Sequence, residues 1–157
     1  MADEETDIVW RGNQHDFKLR VTGVLFNDKH QMAVNVSKDN KFSALPGGKI
    51  KFDETSQTAI EREFVEEMGI RVKAKRLIAV TENLFEWDGK HTNEVNFTWL
   101  VEQIDQVTLF AKDGWEQEVS WRDVTDLSDF KPVVLQPFMR SLPVTPVHLM
   151  NRDLESN

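Results

Sequence analysis

Residues Leu45 to Ile70 read LPGGKIKFDETSQTAIEREFVEEMGI, and the fold turns on this stretch. It opens on the turn Pro46-Gly47-Gly48, continues in a helical pattern and stops at Gly69. Asp53 or Thr55 can cap the helix, because each offers a side-chain oxygen to the unpaired N–H groups of the first turn. Ile60, Phe64 and Met68 recur at helical spacing, an apolar stripe suited to packing on a sheet. The stretch also carries the acids Glu54, Glu61, Glu63, Glu66 and Glu67. At about 100° per residue, Glu63, Glu66 and Glu67 fall within an arc of roughly 100° beside that stripe. Arg62 stands one turn before Glu66, where an ion pair can form. A run of acids is commonly a solvated face. Like charges gathered on one edge repel, however, and add nothing to helix stability. A hard divalent cation, which takes several oxygen ligands, turns that repulsion into binding.

Gly48, Glu54, Arg62, Glu63, Phe64, Glu66, Glu67, Gly69 and Ile70 occupy every fixed position of a known signature. In it a glycine is followed by five free residues and Glu. Seven free residues then lead to Arg-Glu-apolar-any-Glu-Glu-any-Gly-apolar. In this respect the chain resembles the Nudix hydrolases, over the stretch from Gly48 to Ile70. The resemblance implies an α/β (α+β) fold, an α/β/α sandwich with a mixed, mainly antiparallel sheet and a central catalytic helix. It implies hydrolysis of a nucleoside diphosphate linked to another group: a nucleotide sugar such as ADP-ribose, a dinucleotide, or a (deoxy)nucleoside triphosphate. The cofactor it implies is Mg²⁺, with Mn²⁺ as a substitute. Carried over position by position, Glu63, Glu66 and Glu67 are metal ligands and the Gly48 carbonyl a further one. Arg62 holds the carboxylates in place, and Glu54 supports it. Within the family the general base is a glutamate of this helix or an acid from a later loop. Candidates here are Glu94, Asp113, Glu116 and Glu118, with Glu94 favoured because a hairpin precedes it. The alternative to an enzyme is a sensor of the same fold that binds a nucleotide without turnover; the complete set of carboxylates argues for the enzyme.

Composition bounds the rest. A chain of 157 residues is ordinary for a single domain with a sizeable core. Net charge is −8, from 27 acids and 19 bases, which disfavours a nucleic-acid backbone as partner and leaves a small nucleotide as the expected one. The absence of cysteine removes disulfides and thiol chemistry and fits a reducing cytoplasm. The opening MADEETDIVW lacks the apolar core of a signal peptide, and no apolar run reaches membrane-span length. A homodimer is compatible with all of this. Asn35-Val36-Ser37 and Asn96-Phe97-Thr98 match the glycosylation pattern by chance.

Around the helix, residues 1–7 are expected to be a mobile, charged lead, flexible or peripheral to the domain, and Phe17 to Phe26 a strand, with Phe17, Leu19, Val21 and Gly23 on one side. Gln31 to Val36 returns as a second strand. Val72 to Trp87 and Asn93 to Val101 flank Asp88-Gly89, a hairpin signal. Val119 to Val124 reads as a short strand and Pro132 to Leu142 as a last helix, kinked or delayed by Pro137. The tail from about 144 to 157 shows no pattern and is expected to be flexible or peripheral. For substrate, Phe85, Trp87 and Trp99 can stack on a base, and Arg20 can meet a phosphate. Among the histidines only His91, near the turn, invites a functional role. The stretch ENLFEWDGKHTNEVNF is similar to a Nudix subgroup with Glu-Asn-aromatic-aromatic, a glycine turn and His-Glu. Leu84 here replaces the first aromatic, and Asn93 stands where that histidine is usual.

Overall fold

The computed structural model describes residues 6–39, 41–108 and 118–154. In chain order the elements are β1 (Val9–Arg11), β2 (His15–Val24), β3 (Met32–Val36), β4 (Ser43–Ala44), β5 (Gly47–Lys49), α1 (Ser56–Met68), β6 (Ile70–Trp87), β7 (Lys90–Thr108), β8 (Glu118–Arg122), a 3-10 turn (Val133–Leu135), α2 (Gln136–Arg140) and β9 (Val147–Asp153). The main sheet runs β1-β2-β7-β6-β9, with β5 sharing the edge of β2 that β1 leaves open. β2/β7 and β6/β9 pair parallel and the other pairs antiparallel, so the sheet is mixed, as the resemblance implied. A small second sheet, β4-β3-β8, lies apart from it.

Local chemistry explains the boundaries. Thr55, in extended backbone, caps α1 by accepting from the Thr58 N–H at 3.1 Å, whereas Asp53 has φ 68° and cannot. Gly69, also left-handed at φ 68°, closes the helix by returning its N–H to Phe64 and Val65 carbonyls. At the β6/β7 hairpin Asp88 and Gly89 both have positive φ, 52° and 74°, the pair of conformations that a two-residue turn between twisted strands requires. Pro137 stands in the first turn of α2, where its missing N–H costs nothing, and the final helix is correspondingly shorter than the span 132–142. The tail is ordered as β9: its residues from Val147 to Asp153 pair in register with Ala79 to Phe85.

Two cores flank the main sheet. Ile60, Phe64 and Ala59 of α1 close on Val21, Val72, Ala74 and Val101. The second core joins Val24, Ile78 and Ala79 to Met32, Val34, Leu127, Phe130, Leu135 and Met139. A register shift between Leu77 and Ala79 accompanies the burial of two successive residues, Ile78 and Ala79. The second layer is tied down by Asp129, which accepts from Arg122 Nη1 at 2.8 Å and Ser43 Oγ at 2.9 Å. The Arg122 hydrogen bond holds the Asp129 carboxyl below the usual carboxylate range, against a partial opposing effect of burial. A depressed folded pKa means that this contribution is complete above the unfolded value of about 3.9 and is lost as pH falls through the folded one. Asp129→Asn should therefore cost about 1 kcal/mol near neutrality, with the difference vanishing in acid. Thermal melts of both proteins from pH 7 down to pH 2.5 check this; a constant gap would exclude the ion pair as its source. Among the described residues no helix is long and apolar enough to cross a membrane.

Candidate functional site

The helix α1 delivers its acids to four different partners, Arg62, Asn35, Gly47 and Ala74. Arg62 is the hub. Its Nε and Nη2 donate to the two oxygens of Glu54 at 2.7 and 2.9 Å, and Nη1 donates to Glu63 at 2.9 Å and to Glu66 at 3.0 Å. Nη2 also reaches the Lys49 carbonyl at 3.0 Å, which ties the helix to β5. Glu67 turns the other way. It accepts from the side-chain amide of Asn35 on β3 and from the Gly47 N–H at 3.1 Å. Glu61 is not part of this group: its carboxylate accepts from the Ala74 N–H at 3.0 Å, beside an irregularity in β6.

Burial sets the electrostatics. It pushes the Glu67 carboxyl up to about 7, helped by the charge of Glu63 and opposed by the Asn35 and Gly47 donors. Glu63 is raised for the same first reason, against the pull of Arg62. Glu54 is held low, because the hydrogen bonds from Arg62 and the Lys51 N–H outweigh its burial. Burial alone would favour a neutral Arg62, but Glu54 and Glu63 overcome it and raise its pKa. Three carboxylates thus crowd one guanidinium and a fourth, Glu67, lies close to Glu63, with Arg20 as a second positive charge felt by Glu63 and Glu67.

That imbalance bears on a cation. The donors are carboxylate oxygens, with no sulfur or imidazole among them, a set that suits hard divalent ions. A Cβ on Gly48 would lie 2.3 Å from Glu63 Oε1, so only glycine lets the carboxylate rest against this backbone. Asn35 Oδ1 is buried with no partner while its amide nitrogen serves Glu67, leaving an acceptor to spare beside the site. Among the described residues no three acids or histidines already converge on one ligating point, since Arg62 and Asn35 hold the carboxylates. The residues present fit a divalent cation that would take the Glu63 and Glu66 oxygens Arg62 does not engage, with Asn35 giving way at Glu67.

Beside the carboxylates lies a cleft of about 710 Å³. Asn35 and Arg20 belong to its lining and also touch the acidic group, by hydrogen bond and by charge, so cleft and carboxylates form one region. Phe85, Trp87 and Glu94 line it as well. Glu94, the favoured candidate for the general base, is only 9% exposed and faces Arg20 at 4.0 Å. Trp99 departs from the expectation of a stacking role: its indole N–H donates to Ser56 Oγ at 3.0 Å and its ring packs in the core under α1. His91 meets the ring of His15 edge-on, 5.8 Å between centroids, and is not among the cleft residues. Asp113 and Glu116 lie outside the described residues; Glu118 opens β8.

Sequence reasoning missed Asn35. It sits 32 residues from Glu67, and its only local signal was the chance glycosylation pattern. Both asparagines of those patterns are 5% exposed and hydrogen-bonded, so neither can accept a glycan as folded. Also missed were Asn96, which donates to Thr22 and Thr98, and the polar residues that β9 adds to the cleft.

A family model described as the NUDIX domain matches residues 16–142. A "MutT-like protein" of Streptomyces ambofaciens is 38% identical over 65 residues, covering 41% of this chain and 42% of that protein. The chain therefore spans about two fifths of the length of that curated relative. Among solved structures, an ADP-ribose pyrophosphatase from Streptococcus suis 89-1591 superposes with a TM-score of 0.58 at 17% identity, covering 84% of this chain and 98% of its own. A MutT protein from Bacillus halodurans gives 0.62 at 14% identity, covering 87% and 90%. At such identities the likeness is one of fold.

Proposed function

The chain belongs to the Nudix family of hydrolases, and from that membership we propose that it hydrolyses the diphosphate linkage of a nucleoside diphosphate joined to another group, with Mg²⁺ as the working ion and Mn²⁺ as a substitute. The observation that carries the reading is the junction of two features. A complete, Arg62-organised carboxylate group opens, through Arg20 and Asn35, onto a cleft large enough for a nucleotide. The solved ADP-ribose pyrophosphatase of the same fold supports a nucleotide sugar as one of these substrates.

In this reading Glu63, Glu66, Glu67 and the Gly48 carbonyl hold the cation. When bound, it would screen the diphosphate oxygens and make water acidic enough to attack at neutral pH. The protein's own residues do the rest. Glu54 grips Arg62 on two atoms, and Arg62 in turn keeps Glu63 and Glu66 from splaying into solvent. Arg20 meets a phosphate oxygen at the boundary between cation and cleft. Glu94, kept buried next to Arg20, is the proposed acceptor of the proton from the attacking water. Phe85 and Trp87 supply apolar faces for the base.

The test is a substrate panel. Purified protein with Mg²⁺ is incubated with nucleotide sugars including ADP-ribose, dinucleotides and nucleoside triphosphates, and the phosphate-containing products are separated. Cleavage of at least one class between phosphates, abolished by chelator and restored by Mg²⁺, is expected. Intact substrates throughout would defeat the proposal, and tight nucleotide binding without products would establish a sensor instead.

A further inference from the structure

At one level of the main sheet four polar side chains stand side by side. Lys18 of β2 pairs with Glu94 of β7, Glu94 with Asn83 of β6, and Asn83 with Asn151 of β9, and all four line the cleft. Successive members sit on neighbouring strands, roughly 5 Å apart, the spacing at which side chains on one face interact. Asn83 and Asn151 are bonded to each other: the Asn151 amide nitrogen donates to Asn83 Oδ1 at 2.7 Å. An amide carries one acceptor oxygen and two donor hydrogens. That bond therefore leaves an N–H of Asn83 and the oxygen of Asn151 as a donor beside an acceptor. Phe85, two residues further along β6 on the same face, puts an aromatic side chain next to them.

We propose that the Asn83–Asn151 pair holds the hydrogen-bonding edge of the substrate's base while Phe85 takes its face, which makes these two asparagines the residues that select a ligand with a base over one without. The inference rests on the nucleotide reading given above. It goes further by assigning the residues that recognise the base. A donor beside an acceptor complements any edge with the reverse order: the N6/N1 edge of adenine, the O6/N1 edge of guanine, or the corresponding atoms of the pyrimidines. If both amides rotate together, the bond between them is kept and the two outward groups exchange places. The pair thus accepts either polarity, and the native protein should be tolerant of base identity while rejecting a ligand that has no base. Replacing Asn151 by aspartate removes this freedom. The carboxylate can only accept, so Asn83 must donate to it, and the outward pair becomes two acceptors. Only guanine, with N1–H and the 2-amino group adjacent, offers two donors on one edge.

Calorimetric titration of the full chain with AMP, GMP, CMP, UMP and ribose 5-phosphate tests this. For the native protein the four nucleotides should bind within a few-fold of one another and about tenfold or more tighter than ribose 5-phosphate, the scale of one good base-edge pair. Asn151→Asp should raise the GMP:AMP affinity ratio by about tenfold. Asn83→Leu combined with Asn151→Leu should bring the nucleotides down towards ribose 5-phosphate, and circular dichroism confirms that each variant is folded. An unchanged GMP:AMP ratio in Asn151→Asp, or native binding of ribose 5-phosphate as tight as AMP, would overturn the proposal. The two readings fail separately. Binding with the shifted ratio but no hydrolysis removes the enzyme and keeps the reader, whereas hydrolysis with an unshifted ratio does the reverse.

Discussion

Glu67→Gln should fold as well as the native protein and lose turnover by about 100-fold or more at saturating Mg²⁺. The two halves of this expectation have different causes. Turnover would fall because a neutral amide binds a hard cation far more weakly than a carboxylate does, and Glu67 is one of the residues proposed to hold the ion that would activate water. The fold survives because Glu67 is an expensive residue in the absence of a cation: its carboxyl, buried next to Glu63, is pushed up to about 7. Glutamine removes that charge. It can still accept from the Gly47 N–H, and once the Asn35 amide turns over, its own amide can donate to Asn35 Oδ1, a buried acceptor without a partner while Asn35 Nδ2 serves Glu67. The melting temperature of metal-free protein should therefore stay level or rise slightly. Native turnover in Glu67→Gln would take Glu67 out of the metal site. A loss of turnover together with a large loss of stability would make its role structural.

Phe64→Ala should do the opposite and destabilise by about 4 kcal/mol, the middle of the range for truncating a buried aromatic. Phe64 is 1% exposed and belongs to the core between α1 and the main sheet. Its ring presses so closely on β2 that a Cβ added at Gly23 would lie 2.5 Å from Phe64 Cε2. The void left by alanine would thus sit under the helix that carries the carboxylates, where a rigid sheet can collapse only partly. For a chain of this size 4 kcal/mol corresponds to a fall in Tm of roughly 8–16 °C. Differential scanning calorimetry with and without Mg²⁺ reads it directly. A melting temperature equal to that of the native protein would mean the ring contributes no packing. At temperatures where the variant remains folded, turnover should fall far less than in Glu67→Gln.

These two residues, three apart on one helix, show what is legible in a sequence. Their division into an anchoring face and a carboxylate face follows from 3.6 residues per turn and needs nothing from the rest of the chain. The same holds for the Thr55 and Gly69 caps and for the Asp88-Gly89 turn, each decided by residues within a few positions. Glu61 marks the limit of that reasoning. It is an acid of the same helix, yet its partner is the Ala74 N–H, exposed by an irregularity in β6 that periodicity does not reveal. The strand β9 also escaped notice. Val147 and Leu149 are half-buried while Met150 between them and Asn151 is 71% exposed, so apolar residues appear on both faces and the alternation that marks a strand is blurred.

From the sequence alone came the helix, its closing glycine, a choice of two N-caps, the signature residues and the expectation of a cation, because all of these depend on neighbours one or two turns away. Only the tertiary structure brought Asn35 to Glu67, Arg20 to Glu94 and Asn151 to Asn83, partners 32, 74 and 68 residues apart in the chain. Which strand lies beside which, and in what register, is settled by the packing of whole faces into the two cores. That order is a collective property of the folded chain, and no short window of residues encodes it.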